Sequence, residues 1–396
     1  MEADGCRRLA KALLVMPVLL AYGACDGETG TAHTIALRDS AGVAMFEVPA
    51  DGRAVDTWTV DTSPELLIGR AQGREPLHQV RAGRHFADGS FVIANGGSHE
   101  LRFYSREGVL ERSVGREGSG PNEFREFSFL QVVAESVWVY DRLNQRISVL
   151  DRAGEFARLI PLGALSSEGL VFGVGVFADG SILLQRNEPG TAQPGLHRRY
   201  RRAFVLHAAG SISELGRFFI GEAYWQAVGE DVVDAGRPFG RRGLTAVTGK
   251  EWFYSGGDEY RVEQYDMAGR LRGVYSFPAK PRSVTQRDLE EYLTGVRPTR
   301  GGPSLREQLL RKAPLPERMP AYDGLVIDWE GNIWAAPHGG AKPQNCWHVY
   351  QRQPPLFAQA CLPDRFRVLD IAGASVLGVL RDENDVEQIA RYRLVK

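Results

Sequence analysis

The chain has 396 residues and a formal net charge of −1. Removal of residues 1–24, which hold three basic and two acidic residues, changes that charge only to −2. Near-neutrality argues against a nucleic-acid-binding protein, which would carry a basic face.

A positively charged and then apolar segment opens the chain. Arg7, Arg8 and Lys11 precede residues 12–22, which are apolar throughout. This run is too short to span a bilayer but has the length of the apolar region of a secretory signal. Residues 1–24 are therefore predicted to be a signal peptide that directs export.

The end of this segment indicates lipidation. Gly23 and Ala24 stand directly before Cys25, and small residues before a cysteine resemble the lipobox of bacterial lipoproteins. Tyr22 departs from the pattern, which prefers Leu there, so ordinary cleavage after Gly23 is the alternative. We predict lipid attachment at Cys25 and a membrane-anchored protein of the cell envelope, with a soluble periplasmic or secreted protein as the alternative. Residues 25–62 are predicted to form a tether with N-terminal strands.

A short phrase then occurs four times. Each copy has an apolar residue, a short polar residue, two variable positions, a glycine, a spacer and an apolar residue. The glycines are Gly108, Gly154, Gly210 and Gly269, which are 46 to 59 residues apart. A polar residue that starts a type I turn and a glycine in the left-handed region are typical of a hairpin loop. Repetition at this spacing indicates an array of blades rather than a single sandwich.

A second hairpin turn recurs at Gly89, Gly180 and Gly331, each preceded by Asp or Glu and flanked by strand-like residues. Two hairpin turns per unit give four strands per unit, which is the strand count of one propeller blade. The sequence therefore predicts an all-β fold, a six-bladed β-propeller of four-stranded antiparallel blades. An ordinary antiparallel meander is the alternative, but it predicts no fixed order of turns.

The propeller is assigned to residues 63–396. Five or seven blades are the alternatives, because the third and fifth blades are irregular. Residues 65–69 match the last strand of a blade but have no blade before them, whereas the C-terminal end supplies three strands and lacks a fourth. An N-terminal strand is therefore predicted to close the ring. The predicted blades span residues 77–115, 126–162, 171–218, 241–278, 321–362, and 366–394 with 65–69.

Residues 281–320 interrupt the repeat between the fourth and fifth blades. Thr285 followed by Asp288, and Ser304 followed by Glu307, have the spacing of capping boxes. Both stretches predict short helices that form an insertion over one face of the propeller. Helices in that position cover or narrow the central opening, so this face is predicted to carry the function.

Cys346 and Cys361 flank a predicted hairpin near the C-terminal end. Counting outward from its loop places the two cysteines opposite each other on neighbouring strands, within disulfide reach. Export supplies an oxidising compartment. A disulfide is predicted, with two buried thiols as the alternative.

Several stretches resemble bacterial six-bladed β-propeller proteins of the NHL-repeat-like kind. They are residues 115–124, the helical insertion with residues 321–328 after it, and residues 376–387. The resemblance covers nearly all of the mature chain. It implies the fold but no activity, because the same scaffold hosts binders, lyases and lactone hydrolases.

Polar residues near the starts of inner strands are the candidate channel-lining groups: His78, Glu126 and Asp323. Carboxylates and imidazoles converging on the axis would suit a divalent metal, but the equivalent places in the other blades hold poor ligands. We therefore predict a non-enzymatic module that binds a protein, peptide or glycan partner at the envelope. No cofactor is predicted, and a bound calcium ion is the alternative. A metal-dependent hydrolase or lyase that uses these three residues is the alternative.

One dense basic run, residues 197–202, lies in the third predicted blade. It is interpreted as a solvated loop and the entry to a strand. Contact with an anion or a phospholipid headgroup is the alternative interpretation.

Overall fold

The structure is a computed structural model that describes residues 36–48, 56–69, 76–188, 193–296, 304–339 and 345–396. The predicted signal peptide and Cys25 lie outside these residues. Within the described ranges no helix has the length and apolar character needed to cross a membrane.

Four short strands precede the repeated part of the chain. The first two form an antiparallel hairpin. The strands are β1 (Ala36–Ser40), β2 (Val43–Glu47), β3 (Asp56–Val60) and β4 (Leu66–Ile68).

The repeated part begins with three groups of antiparallel strands. Each group contains four consecutive strands, and the third has one additional strand at its outer edge. Group one contains β5 (Val80–His85), β6 (Phe91–Asn95), β7 (Glu100–Tyr104) and β8 (Leu110–Val114); group two contains β9 (Phe127–Val133), β10 (Ser136–Asp141), β11 (Arg146–Leu150) and β12 (Phe156–Pro161); group three contains β13 (Val171–Val176), β14 (Ile182–Asn187), β15 (Gly195–Leu206), β16 (Ile212–Val228) and the additional β17 (Asp231–Asp234).

The second half of the repeated part contains three further groups and two helices between groups four and five. Group four contains β18 (Leu244–Thr248), β19 (Glu251–Ser255), β20 (Arg261–Asp266) and β21 (Leu271–Ser276); the helices are α1 (Gln286–Thr294) and α2 (Leu305–Lys312); group five contains β22 (Tyr322–Ile327), β23 (Ile333–Pro337), β24 (Cys346–Arg352) and β25 (Pro355–Cys361); group six contains β26 (Phe366–Ala372), β27 (Ser375–Arg381) and β28 (Glu387–Val395), with β4 as its fourth strand.

The predicted hairpin turns are present. Gly108, Gly154, Gly210 and Gly269 all have positive φ, between 75° and 91°. The N–H of each donates to the carbonyl three residues earlier at 2.8–3.0 Å. Glycine reaches this left-handed conformation without the steric cost that a Cβ would bring, so the repeated phrase fixes the turn between the third and fourth strands of its group.

The first strands of the groups lie side by side around a common axis. Contacts run from β5 to β9, then to β13, β18 and β22, and β26 contacts β5. The N–H of Trp329, just after β22, donates to the carbonyl of Ile371 in β26 at 3.1 Å. Antiparallel sheets arranged in this way around an axis define a β-propeller.

The ring closes as the sequence predicted. β4 pairs antiparallel with β28, with Leu66 opposite Arg391, Leu67 opposite Ala390 and Ile68 opposite Ile389. A strand from the N-terminal part of the chain therefore supplies the missing fourth strand at the C-terminal part. This pairing occupies a sheet edge that would otherwise stay open.

The other N-terminal strands occupy positions that the sequence did not indicate. β2 pairs parallel with β21, and β3 pairs parallel with β25. β3 also contacts β28, so groups five and six form one continuous sheet. Trp58 of β3 is 1% exposed and packs against Trp334, with ring centroids 5.6 Å apart. This part of the predicted tether is therefore a structural edge of the propeller.

Group three is larger than the predicted residues 171–218. β15 and β16 are 12 and 17 residues long, and they form an antiparallel hairpin that continues past the sheet. The basic run at residues 197–202 lies on β15, as a strand. The extension was not predicted, because the alternation of apolar and polar residues along β15 and β16 does not stop at a definite residue.

Both predicted helices are present, and their N-termini are capped by Thr285 and Ser304. At α1 the capping box is complete, since Thr285 and Asp288 each accept a backbone N–H of the other. At α2 the Glu307 carboxylate accepts a hydrogen bond from Arg311 at 3.0 Å. The helices pack against the extension of group three, where Gln226 donates to the carbonyl of Leu309 at 2.6 Å.

The predicted disulfide joins Cys346 and Cys361. The two residues face each other in the register of β24 and β25, and their Cα atoms are 3.9 Å apart. The bond ties the two outer strands of group five together at the end far from their connecting turn.

Replacing both cysteines by serine should lower the free energy of unfolding by about 3 kcal/mol, the entropic effect expected for a loop of 15 residues. Guanidinium unfolding of residues 25–396, with and without reductant, measures this change. Reductant should destabilise the parent protein and leave the double variant unchanged. Equal stability of parent and variant under non-reducing conditions would contradict the prediction.

Candidate functional site

A cavity of about 440 Å³ lies on the propeller axis. Its walls come from the C-terminal halves of the first strands, so all six groups contribute to it. The surface is mixed, with aliphatic side chains beside hydroxyl, amide and charged groups. The lining includes Arg84, His85, Gln131, Val132, Val174, Thr245, Val247, Leu325, Ile327 and Asp370.

Trp329 lies in the wall of this cavity with 49% of its surface exposed. The turn that carries it is rigid, because the buried carboxylate of Asp328 accepts the backbone N–H groups of Glu330 and Asn332 at 3.0 and 2.8 Å. The same carboxylate accepts the indole N–H of Trp334 at 3.0 Å. Burial raises the pKa of Asp328, although these hydrogen bonds lower it. A fixed backbone therefore presents an exposed indole to the axial cavity.

A buried polar cluster lies beside Trp329 in the same wall. Asp370 Oδ2 lies 2.9 Å from His85 Nδ1 and accepts the backbone N–H of His85 at 2.9 Å. Arg84 donates to the carbonyl of Leu369, and its guanidinium lies 3.9 Å from Asp370 Oδ1. Burial by itself raises the pKa of Asp370, but the hydrogen bonds from His85 and the charge of Arg84 more than offset it, so the pKa lies below its usual value. Asp370 is therefore ionised inside the join between groups six and one.

The three candidate residues from the sequence lie at the opposite end of the axis, where the first strands begin. His78 is exposed, and its backbone N–H donates to Asn95 Oδ1 at 2.9 Å. The carboxylate of Glu126 accepts a hydrogen bond from Arg142 at 3.0 Å. Among the described residues, no three His, Cys, Asp or Glu side chains are grouped so that they could hold a metal ion.

Asp323, the third candidate, has an unusual electrostatic environment. Its side chain has an exposed surface, but the protein around it removes much of its hydration, and this raises the pKa of its carboxyl to about 6. The charge of Arg242 opposes the shift. The pKa of the neighbouring His338 is lowered, first by burial and then by Arg242 and Arg282. This end of the axis therefore disfavours charge on both Asp323 and His338.

The helical insertion belongs to that same end, since it leads into the start of β22. The sequence predicted that the function would be found on this face, whereas the axial cavity lies at the other end. The sequence did contain a signal for that cavity. In the turns at Gly89 and Gly180, the residue two places before the glycine is Ala, but before Gly331 it is Trp329. A large aromatic residue at an exposed turn position has no role in packing the sheet.

The comparisons with known proteins address the fold. No family model matches the chain, and none of the curated proteins matches it. An exported protein from Bacteroides fragilis is similar in structure, with a TM-score of 0.50 at 11% sequence identity, over 89% of this chain and 99% of that one. At this identity the likeness shows the fold alone.

Two further solved structures are similar at lower scores. A virginiamycin B lyase from Staphylococcus aureus has a TM-score of 0.43 at 9% identity, over 85% of this chain and 100% of its own. The β-propeller domain of Cps50 (Swd1) from Myceliophteria thermophila has a TM-score of 0.41 at 9% identity, over 84% and 99%. These scores are too low for either protein to bear on function.

Asp323→Asn should stabilise the protein at neutral pH. The folded state raises the pKa of this carboxyl from 3.8 to about 6, so it disfavours the charged form. The parent protein therefore loses stability as the pH rises from about 4 to about 6. Two pKa units correspond to about 3 kcal/mol, and solvent screening of the exposed side chain reduces this to roughly 1 kcal/mol.

Unfolding by urea at pH 4 and at pH 7.5 measures the effect. The variant should match the parent at pH 4 and exceed it at pH 7.5. Glu317→Gln, at an exposed carboxylate of the segment before β22, serves as the control and should show no such difference. A variant that is no more stable than the parent at pH 7.5 would show that Asp323 is not desolvated.

Proposed function

We propose that this protein is an exported, lipid-anchored β-propeller that binds a ligand in its axial cavity at the cell envelope. The observation that carries the proposal is the half-exposed indole of Trp329, held on a hydrogen-bonded turn in a cavity built from all six groups. Ligand sites of proteins are concave, largely preformed and lined by apolar surface with a few oriented polar groups. In this proposal the six strand groups are the six blades of an NHL-repeat-like propeller.

The walls of the cavity favour a peptide or glycan segment. The indole face of Trp329 suits the apolar face of a sugar ring or a proline ring. Thr248 supplies a hydroxyl and Glu135 a carboxylate at the same cavity. Arg84 and Asp370 neutralise each other. Glu135 is paired with Arg152, and Asp328 is taken up by the hydrogen bonds of its own turn. The lining therefore offers no unpaired charge that would select an ion. Binding of this kind needs no catalytic group, in line with the role that the sequence favours.

The metal-dependent alternative has no comparable support. It requires His78, Glu126 and Asp323 to converge, whereas Glu126 is already paired with Arg142. The part of the chain that the structure describes offers no geometry through which these residues would share an ion.

Trp329→Ala should weaken ligand binding about fivefold or more, because a lost stacking contact is worth on the order of 1 kcal/mol. The parent protein is applied to a glycan array and to a tiled peptide array, and each hit is then titrated by intrinsic fluorescence or calorimetry. Phe156→Ala, at an aromatic residue 38% exposed on the outer strand of group two, is the matched control and should bind as the parent does. Equal binding by the parent and the Trp329 variant would place the site elsewhere.

The anchor is tested separately. Cys25→Ser should abolish incorporation of radiolabelled palmitate in a bacterial host and move the protein from the membrane fraction to the soluble fraction. The basis is the small-residue pattern before Cys25. Labelling that persists in this variant would reject Cys25 as the acylated residue.

A further inference from the structure

A second cavity, of about 500 Å³, lies between groups six and one on the other side of Trp329. His85 and Trp329 line both this cavity and the axial one. We name it the join cavity, after the join between the last and first groups. It contains a serine hydroxyl that the binding role does not use.

Three side chains at the join cavity form a continuous hydrogen-bonded series. Asp370 Oδ2 lies 2.9 Å from His85 Nδ1, and His85 Nε2 lies 3.1 Å from Ser375 Oγ. The ionised carboxylate assigns the proton of the imidazole to Nδ1, which leaves Nε2 to accept the hydroxyl proton of Ser375. This order of carboxylate, imidazole and hydroxyl is the arrangement that activates a serine nucleophile.

The fold positions each member of the series. The register shift between Val368 and Asp370 marks a bulge in β26, and bulges re-aim side chains. His85 is the last residue of β5, 2% exposed, and the indole of Trp329 stands perpendicular to its ring with centroids 6.4 Å apart. Ser375 begins β27 and remains partly exposed. The join between groups six and one is held by the contact of His85 with Asp370 and by hydrogen bonds such as those of Arg84 with the carbonyl of Leu369 and of Arg367 with the carbonyl of Val80. None of these contacts involves the hydroxyl of Ser375.

We propose that Ser375 is a nucleophile toward acyl esters that carry an anionic group, with His85 as its general base and Asp370 as the residue that orients His85. Ser375 Oγ forms a bond to the acyl carbon while its proton passes to His85 Nε2. The bond from the acyl carbon to the alcohol oxygen then breaks, and the alcohol leaves with that proton. A water molecule repeats the sequence on the acyl-serine and releases the carboxylic acid.

The cations of the join cavity indicate the charge of the substrate. Arg393 lies directly opposite Ser375 in the register of β28 and β27. Its guanidinium is exposed and has no acidic partner among the described residues. Arg106 and Arg391 line the same cavity, as do Glu65 and Asp88. Glu65 lies 3.8 Å from Arg391, and Asp88 is paired with Arg152, so Arg393 and Arg106 are the cations without an acidic partner in the described structure. A carboxylate or phosphate on the substrate would meet these guanidinium groups next to the nucleophile.

The test uses a biotinylated fluorophosphonate, which bonds covalently to activated serines, on the full exported chain. The parent protein should be labelled at Ser375, as mapped by mass spectrometry, and Ser375→Ala should lose that label completely. Asp370→Asn should slow labelling at least about 100-fold, because it removes the carboxylate that holds the imidazole in the reactive tautomer. Circular dichroism and unfolding curves establish that each variant is folded, and Ser375→Ala leaves the contact between His85 and Asp370 intact.

Ser213→Ala is the matched control, because Ser213 Oγ lies 2.9 Å from His207 Nε2 without a carboxylate on that histidine in the described structure. It should be labelled as the parent is. Parent protein that is folded yet unlabelled at Ser375 would overturn the proposal, as would labelling at equal rates in the Asp370→Asn variant. The proposal goes beyond ligand binding, and Ser375→Ala separates the two: Ser375 does not line the axial cavity, so that variant should lose the label and keep the ligand.

Substrate charge has its own measurement. The parent should hydrolyse the p-nitrophenyl hemiester of succinic acid with a higher kcat/KM than p-nitrophenyl acetate. Arg393→Gln should reduce that preference about tenfold or more, whereas Arg393→Lys, which keeps the positive charge, should retain most of it. A preference that survives in Arg393→Gln would remove Arg393 from the substrate site.

Discussion

The structure depends on the pairing of β4 with β28. A ring of antiparallel sheets leaves one group incomplete unless a strand from the other part of the chain enters it. Leu66–Ile68 fills that place against residues 389–391 of β28. This pairing completes group six, and β26 of that completed group then meets β5. The first and last groups are thereby held together by strand pairing within the propeller itself.

The same join concentrates the buried polar groups of the protein's axial region. Placing a carboxylate such as Asp370 inside a protein is unfavourable unless hydrogen bonds and charges compensate it. Here the backbone and imidazole of His85 and the guanidinium of Arg84 provide that compensation. A partly satisfied network would be costly in this low-dielectric setting, so the three side chains act as one unit. The contacts that close the ring therefore also form part of the walls of the two cavities, since His85 lines both of them.

The remaining N-terminal strands act on the outer edges rather than on the axis. β2 covers the outer strand of group four, and β3 covers that of group five while bridging to β28. Buried Trp58 shows that this contact belongs to the core and is more than a surface attachment. In group five the outer strand β25 is tied to β24 by the disulfide and is covered on its other edge by β3.

Local sequence patterns determined much of the fold. The glycines of the repeated turns, the caps at Thr285 and Ser304 and the spacing of Cys346 and Cys361 each act over a few residues, and the structure contains the element that each predicts. The partner of β4 also followed from sequence. Residues 65–69 resemble the last strand of a blade, and only the C-terminal group lacks that strand. The partners of β2 and β3 did not follow from sequence, since a short strand pattern specifies a sheet face but not a neighbour.

The positions of the cavities were decided by tertiary structure. His78, Glu126 and Asp323 were selected by residue type and strand position, and those features do not encode distances across the axis. His85 lies 285 positions from Asp370 and 290 positions from Ser375, and no local pattern marks these residues as neighbours. Sequence thus established the repeating unit and its turns, because these are short-range effects. Only the closed ring, which brings β26 beside β5, determined where the cavities lie and which side chains meet in them.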